Sequence, residues 1–197
     1  MQKTIPISIA LICILTVTGL SQTGPVYVSG IAVDRAALVG GENLMLNGAG
    51  VRTRAGFKTY VAALYLGKNV TSTADVLSLP GAKRLRIVML RDMSSSDVGQ
   101  TFTTAFNNNT ASTNRSKLQP PMMGFTSAFQ NVSVFKKGDV ITLDWIPGVG
   151  LRTTLNNREI GSAIADDLFY RTVLSVWIGD RPAETALKTA LLRGTAG

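Results

Sequence analysis

The chain has 197 residues, 45% of them hydrophobic, with 20 Lys and Arg against 12 Asp and Glu and a formal charge of +8. That length suits one domain with its own core. The absence of histidine excludes a Ser-His-Asp triad, a histidine general base and histidine metal ligands, and the single Cys13 excludes thiolate zinc sites, CxxC chemistry and internal disulfides.

Residues 1–23 read as a signal peptide, with 24–197 as the mature domain. Lys3 supplies the charged start, Ile5 to Leu20 the apolar run, and Gly19-Leu20-Ser21 a small-x-small cleavage pattern. The expected location is therefore secreted, in the periplasm. The basic charges are scattered (Arg35, Lys58, Lys68, Arg91, Arg115, Lys136, Arg152, Arg181) and form no stripe with interleaved aromatics, which argues against nucleic acid. A basic surface also suits peripheral contact with anionic lipid headgroups, although a solvated face is the plainer reading.

Val26 to Val33 reads as a strand, and Gly40-Gly41-Glu42-Asn43 as a turn. Leu44–Arg54 and Phe57–Leu66 are strands joined around Ala55-Gly56. A short helix is expected at Ala74–Ser78, then a buried strand over Arg84–Arg91. Ser94, with Asp97 three residues on, gives a capping box. Val98, Phe102, Ala105 and Phe106 follow at helical spacing up to Asn107. A second helix is expected over Pro121–Gln130. Val132–Phe135, Val140–Trp145 and Leu151–Leu155 read as consecutive antiparallel strands, with a short one near Glu159–Ile160. Asp166–Ile178 is the strongest helix, with Phe169, Val173, Val176 and Trp177 on one face; Asp180-Arg181-Pro182 is expected to restart a helix that Gly194 ends. The order of strands and helices predicts an α+β domain with helices against one sheet face.

Four segments, in order along nearly the whole mature chain, resemble the chalcone isomerase-like family: GAGVRTRAGFKTYVAALYLG (48–67), KRLRIVMLRD (83–92), the Lys137-Gly138-Asp139 turn, and LSVWIGDRPAETALKTALLRG (174–194). The resemblance is to its bacterial secreted branch in particular. It implies an open-faced β-sandwich, a large curved antiparallel sheet covered by a layer of helices. The family holds enzymes that cyclise chalcones and non-catalytic members that bind fatty acids through an Arg and a Tyr.

By this resemblance Arg52 matches the shared Arg, and Tyr60 stands where the fatty-acid binders carry Tyr. The enzymes' catalytic Tyr and Asn fall at Ser94 and Thr101, and no Tyr occurs from Val70 to Ile160. The resemblance thus implies a non-catalytic protein, needing no cofactor or metal, that binds a fatty acid or similar small amphipathic anion. Arg52 and Tyr60 would hold the anion, and Leu64, Phe102, Phe106, Phe169 and Val173 would surround its tail.

Two alternatives stay open. A chalcone-flavanone type isomerase would use Arg52 with polar support from Ser94, Ser95 and Thr101. A structural module would bury Arg52 in a salt bridge with Asp92 or Asp144 and leave no cavity. Arg54 is the fallback anchor. Register matters as well: a two-residue turn at Ala55-Gly56 sends Arg52 and Tyr60 to opposite faces. A three-residue loop or equivalent bulge brings them together, with Lys58 opposite Arg52.

Overall fold

The computed structural model describes residues 24–194; the expected leader, residues 1–23, lies outside the described residues. The expected first strand is instead a hairpin, β1 (Val26–Val28) and β2 (Ile31–Val33). Ser29 and Gly30 turn it with φ of 48° and 80°, the left-handed pair of a tight hairpin. A strand the sequence reading passed over, β3 (Ala36–Val39), then turns through Gly40-Gly41 into β4 (Glu42–Arg54). β5 (Phe57–Leu66) follows over its expected span.

After α1 (Thr73–Ser78) come β6 (Lys83–Met89) and a two-residue strand β7 (Met93–Ser94). α2 (Ser95–Asn108) begins as its capping box requires: Ser94 Oγ accepts from the Asp97 backbone N–H at 3.1 Å. α3 is Arg115–Ser127, six residues earlier than expected, and carries Pro120 and Pro121 inside it. Proline's preference for the first helical turn points to a start at Pro121. Here a one-turn 3-10 segment at Ser112–Asn114 starts the helix upstream.

β8 (Val134–Phe135) pairs with β7 and not with the next strand, so the expected meander through Val132–Phe135 is corrected. β9 (Val140–Ile146), β10 (Gly150–Leu155) and β11 (Arg158–Glu159) form the meander proper. α4 (Asp167–Ile178) is capped by Asp166. α5 (Thr185–Leu191) starts later than Pro182. The reason is an amide clamp: Asn109 donates to the Arg181 carbonyl at 2.7 Å and accepts from the Arg181 N–H at 3.2 Å, fixing that segment outside helical geometry.

The main sheet is seven-stranded and antiparallel, in the order β11-β10-β9-β6-β5-β4-β3. Alternation divides its residues. Tyr60, Ala62, Leu64 and Leu66 of β5 face the helices with Phe169, Val173, Trp177 and Leu187. Val61, Ala63 and Tyr65 face the other way, under the β1–β2 hairpin. The curved antiparallel sheet and helix layer expected from the sequence are thus present.

Glycines explain how close the helices come. A Cβ at Gly48 would fall on the Ala190 carbonyl oxygen, and one at Gly50 would stand 2.6 Å from Ala190 Cβ. These two positions are where α5 rests directly on β4. The buried Asn47 beside them ties this contact down. It donates to the Leu191 and Val70 carbonyls at 2.8 and 2.9 Å and accepts from Val70 N–H at 2.7 Å.

Candidate functional site

Arg52 lies two positions beyond Gly50 on the helix-facing side of β4. The Ala55-Gly56 turn keeps two residues, with φ of 49° and 79°, so the loop is not the three-residue one considered above. A β-bulge resolves the register. Thr53 pairs with Lys58 while Arg52 pairs with Tyr60, leaving Thr59 as the extra residue. Thr59 Oγ1 donates to the Arg52 carbonyl at 3.0 Å and holds the bulge. Arg52 and Tyr60 therefore stand directly opposite each other on one face. The diagonal arrangement with Lys58 opposite Arg52 is not what forms.

The phenol is held from two sides. Trp177 Nε1 donates to Tyr60 Oη at 2.8 Å, and Arg52 Nη1 approaches the same oxygen at 3.4 Å. A hydroxyl has two acceptor lone pairs and one hydrogen. With both lone pairs engaged, the Tyr60 hydrogen is free to point at a ligand. Burial pushes the Tyr60 pKa up, against the pull of the Arg52 charge, so the group keeps that proton at neutral pH.

Arg52 itself is incompletely satisfied. Its Nε is buried with no hydrogen-bond partner among the described residues, and its Cζ sits 5.7 Å from the Tyr60 ring centroid. Neither carboxylate considered for it is available. Asp144 takes Arg84 in a two-point pair at 2.7 and 2.6 Å. Asp92 takes the Lys136 ammonium at 2.9 Å and the Lys137 backbone N–H at 2.8 Å.

Beside this pair lies a small cavity of about 70 Å³, lined by Arg52, Arg54, Tyr60, Met89, Met93, Thr101, Phe102 and Trp177 among others. It shares Ile87, Val98, Phe102, Ile141 and Trp177 with a larger chamber of about 260 Å³. That chamber runs between the sheet and α2–α3, walled by Phe125, Phe129, Val132 and Phe135, with Ser95, Ser96 and Gln130 at its polar edge. Together the two spaces reach the lower end of the roughly 300–1,000 Å³ typical of small-ligand pockets. The arrangement is a guanidinium and a phenol at one end of an apolar compartment.

Of the expected lining residues, only Phe102 borders both cavities. Leu64, Phe169 and Val173 are corrected to core: all three are fully buried behind the site and line neither cavity. Phe106 packs 6.0 Å from Phe102 and borders a separate outer cleft between α2 and α3. Thr101 is at the site, its hydroxyl accepting from Arg54 Nη1 at 2.8 Å. Arg54, the fallback anchor, lines the same cavity as Arg52. Ser94 borders neither cavity and is occupied as the α2 cap, also donating to Asp97 Oδ2 at 2.6 Å.

Trp177 is the residue that sequence reasoning missed. Its place on the apolar face of α4 was legible. Its hydrogen bond to Tyr60, 117 residues away, was not. Phe125 of α3 and Phe129, just beyond its end, both line the larger chamber and meet edge-to-face at 5.4 Å.

Comparison with known proteins bears on the family and the fold. The family model described as chalcone isomerase-like matches residues 25–193. No curated protein matches the chain. Among solved structures, the crystal structure of an Arabidopsis thaliana fatty-acid binding protein superposes with a TM-score of 0.67 over 83% of this chain and 92% of that one. The two are 17% identical, so the likeness is one of fold.

Proposed function

The chain belongs to the chalcone isomerase-like family, and we propose that it is a non-catalytic binder of a small amphipathic anion such as a fatty acid, working after export to the periplasm as a member of the family's bacterial secreted branch. The observation that carries the reading is Arg52: a buried guanidinium nitrogen with no hydrogen-bond partner among the described residues, at the head of an apolar chamber. A buried charged donor left unpaired is costly. A carboxylate supplies what is missing, in two parallel charge-assisted hydrogen bonds from the guanidinium. The Tyr60 hydrogen supplies a third. An alkyl tail in the chamber then gains roughly 0.8 kcal/mol per buried methylene, less the cost of immobilising it.

The fatty-acid binding named for the Arabidopsis protein of like fold supports this ligand class. Two features weigh against turnover. Ser94 is committed to capping α2, and Thr101 to Arg54, so neither stands ready beside Arg52 as an acid or base. Export rests on residues 1–23, whose charged start, apolar run and small-residue cut follow the secretory pattern.

The test is native mass spectrometry of the protein purified from its host, with released ligands identified. A co-purifying fatty acid that is lost in Arg52→Ala is the expected result. A protein that arrives empty and ignores added fatty acids would refute the reading. Cell fractionation, with the mature N-terminus sequenced, checks export and the cleavage point.

A further inference from the structure

The basic end of the chamber is larger than one carboxylate needs. Outward from Arg52 opens a cleft of about 340 Å³, bounded by Arg52, Arg54, Thr101, Asn108 and Arg181. Arg52 and Arg54 line both this cleft and the inner cavity, whereas Arg181 faces the cleft alone. Arg181 does not hang there on a loose loop. The Asn109 amide holds its backbone N–H and carbonyl together, so the end of α2 fixes it in place.

Among the described residues, none of the three guanidiniums is in an ion pair, and no carboxylate lines the cleft. The carboxylate acting nearby belongs to Glu184. It accepts the Thr53 backbone N–H at 2.7 Å and is felt at Tyr60. The cleft's own lining therefore carries three cations and, among the described residues, no anion.

Resting on the anion-binding reading above, we propose that the preferred head group is a phosphate monoester carried on an apolar chain, with Arg181 as the residue that selects it over a carboxylate. A phosphate monoester carries roughly −1.5 to −2 charge at neutral pH and three terminal oxygens. A carboxylate offers one charge and two oxygens. Planar guanidiniums bind phosphate oxygens in pairs. Arg52 and Arg54 take the head group where the two spaces meet, and Arg181 meets the oxygens on the outer side.

The test compares decyl phosphate with decanoate, matched in chain length, by isothermal titration calorimetry at pH 8. The wild-type protein is expected to bind the phosphate at least tenfold more tightly. Arg181→Gln should lower phosphate affinity about tenfold and decanoate affinity less than threefold, with the thermal unfolding midpoint as a check that the variant is folded. Lowering the pH to 5, below the second phosphate ionisation near 6, should narrow the wild-type preference. Equal affinities in the wild type, or a preference that survives Arg181→Gln, overturn the proposal while leaving the anion-binding reading intact. Equal weakening of both ligands in the variant does the same. If neither ligand binds, both readings fall.

Discussion

Arg52→Met separates a ligand anchor from a structural arginine, because the two roles predict opposite changes in stability. Methionine keeps the length of the side chain and removes its charge and donors. What the fold loses is small. The contact with Tyr60 Oη is at 3.4 Å, the long limit of a hydrogen bond, and is worth less than about 1 kcal/mol. The guanidinium over the Tyr60 ring, at 5.7 Å, contributes about 0.5–1 kcal/mol. What the fold gains is relief of the buried, unpartnered Nε, a burden of about 1–3 kcal/mol. Exchanging buried charged groups for apolar ones of similar volume is often neutral or stabilising. The ligand-free variant should therefore be more stable than the wild type by about 1 kcal/mol, a rise in Tm of about 2–4 °C for a domain of this size. Urea unfolding of the delipidated protein measures this. Decanoate affinity should fall at least tenfold, about 1.4 kcal/mol, in the same variant. A loss of more than about 1 kcal/mol of stability at unchanged m-value would sink the argument, since it would make Arg52 part of what holds the fold together.

Four further outcomes rest on other contacts. Gly48→Ala should destabilise by about 1–3 kcal/mol or more, because its Cβ meets the backbone of α5 and not a yielding side chain. Gly124→Ala, inside α3 with nothing within 4 Å, should instead stabilise by about 0.5–1 kcal/mol, and chemical denaturation distinguishes the two. Lys83 is 4% exposed, and burial lowers its pKa, so between its folded value and the ordinary value near 10.4 the unfolded chain holds more protons. Its contribution to stability should then rise with pH through that window, and Lys83→Met should be more stable than the wild type below the window and flatten the pH profile across it. Trp177 borders both cavities, whereas Trp145 stacks on Tyr170 at 5.0 Å, away from them. Added decanoate should change tryptophan emission in the wild type and in Trp145→Phe but not in Trp177→Phe, and a response kept in Trp177→Phe would place the ligand elsewhere.

Local chemistry carried much of the fold. The β4–β5 hairpin, the Ser94 cap and α4 were legible because turn residues, a capping box and a strong apolar face act within a few residues of themselves. The misplacements have longer-range causes. α5 starts late because Asn109, 72 residues earlier in the chain, holds Arg181. Val134–Phe135 pairs with Met93–Ser94 in a separate two-stranded sheet, a distant partner that no property of the strand itself announces. At the site, the sequence supplied Arg52 and Tyr60 but not the bulge that sets them face to face, since the two-residue turn alone sends them apart. It also chose Phe169 and Val173 for the tail, although Val176 and Trp177 of the same helix are the ones at the cavity wall. Periodicity identifies a face of a helix but not which turn of that face stands over a cavity.

That last point bears on why a compartment exists here at all. α5 is drawn down onto β4 by Gly48 and Gly50, and α4 is buried along most of its length. α2 and α3 are placed differently. Their main contacts run to α4 and to β7, not to the seven-stranded sheet. Large rings face the chamber, Phe102 from α2, Phe125 from α3 and Phe129 just beyond α3. Gly99 of α2 also lines it, but has nothing within 4 Å of its Cβ position and so draws no backbone close as Gly48 and Gly50 do under α5. Phe102 and Phe125 meet each other at 5.1 Å, and both border the space over Ile87, Ile141 and Leu143. Interiors pack to near-crystal density wherever shapes allow, so an apolar gap beside a guanidinium whose Nε has no partner among the described residues marks a place where these large rings keep the helices from closing on the sheet. The fold is held by one half of the helix layer and leaves the other half standing off the sheet. The bulge at Thr59 delivers Arg52 and Tyr60 to the edge of that gap.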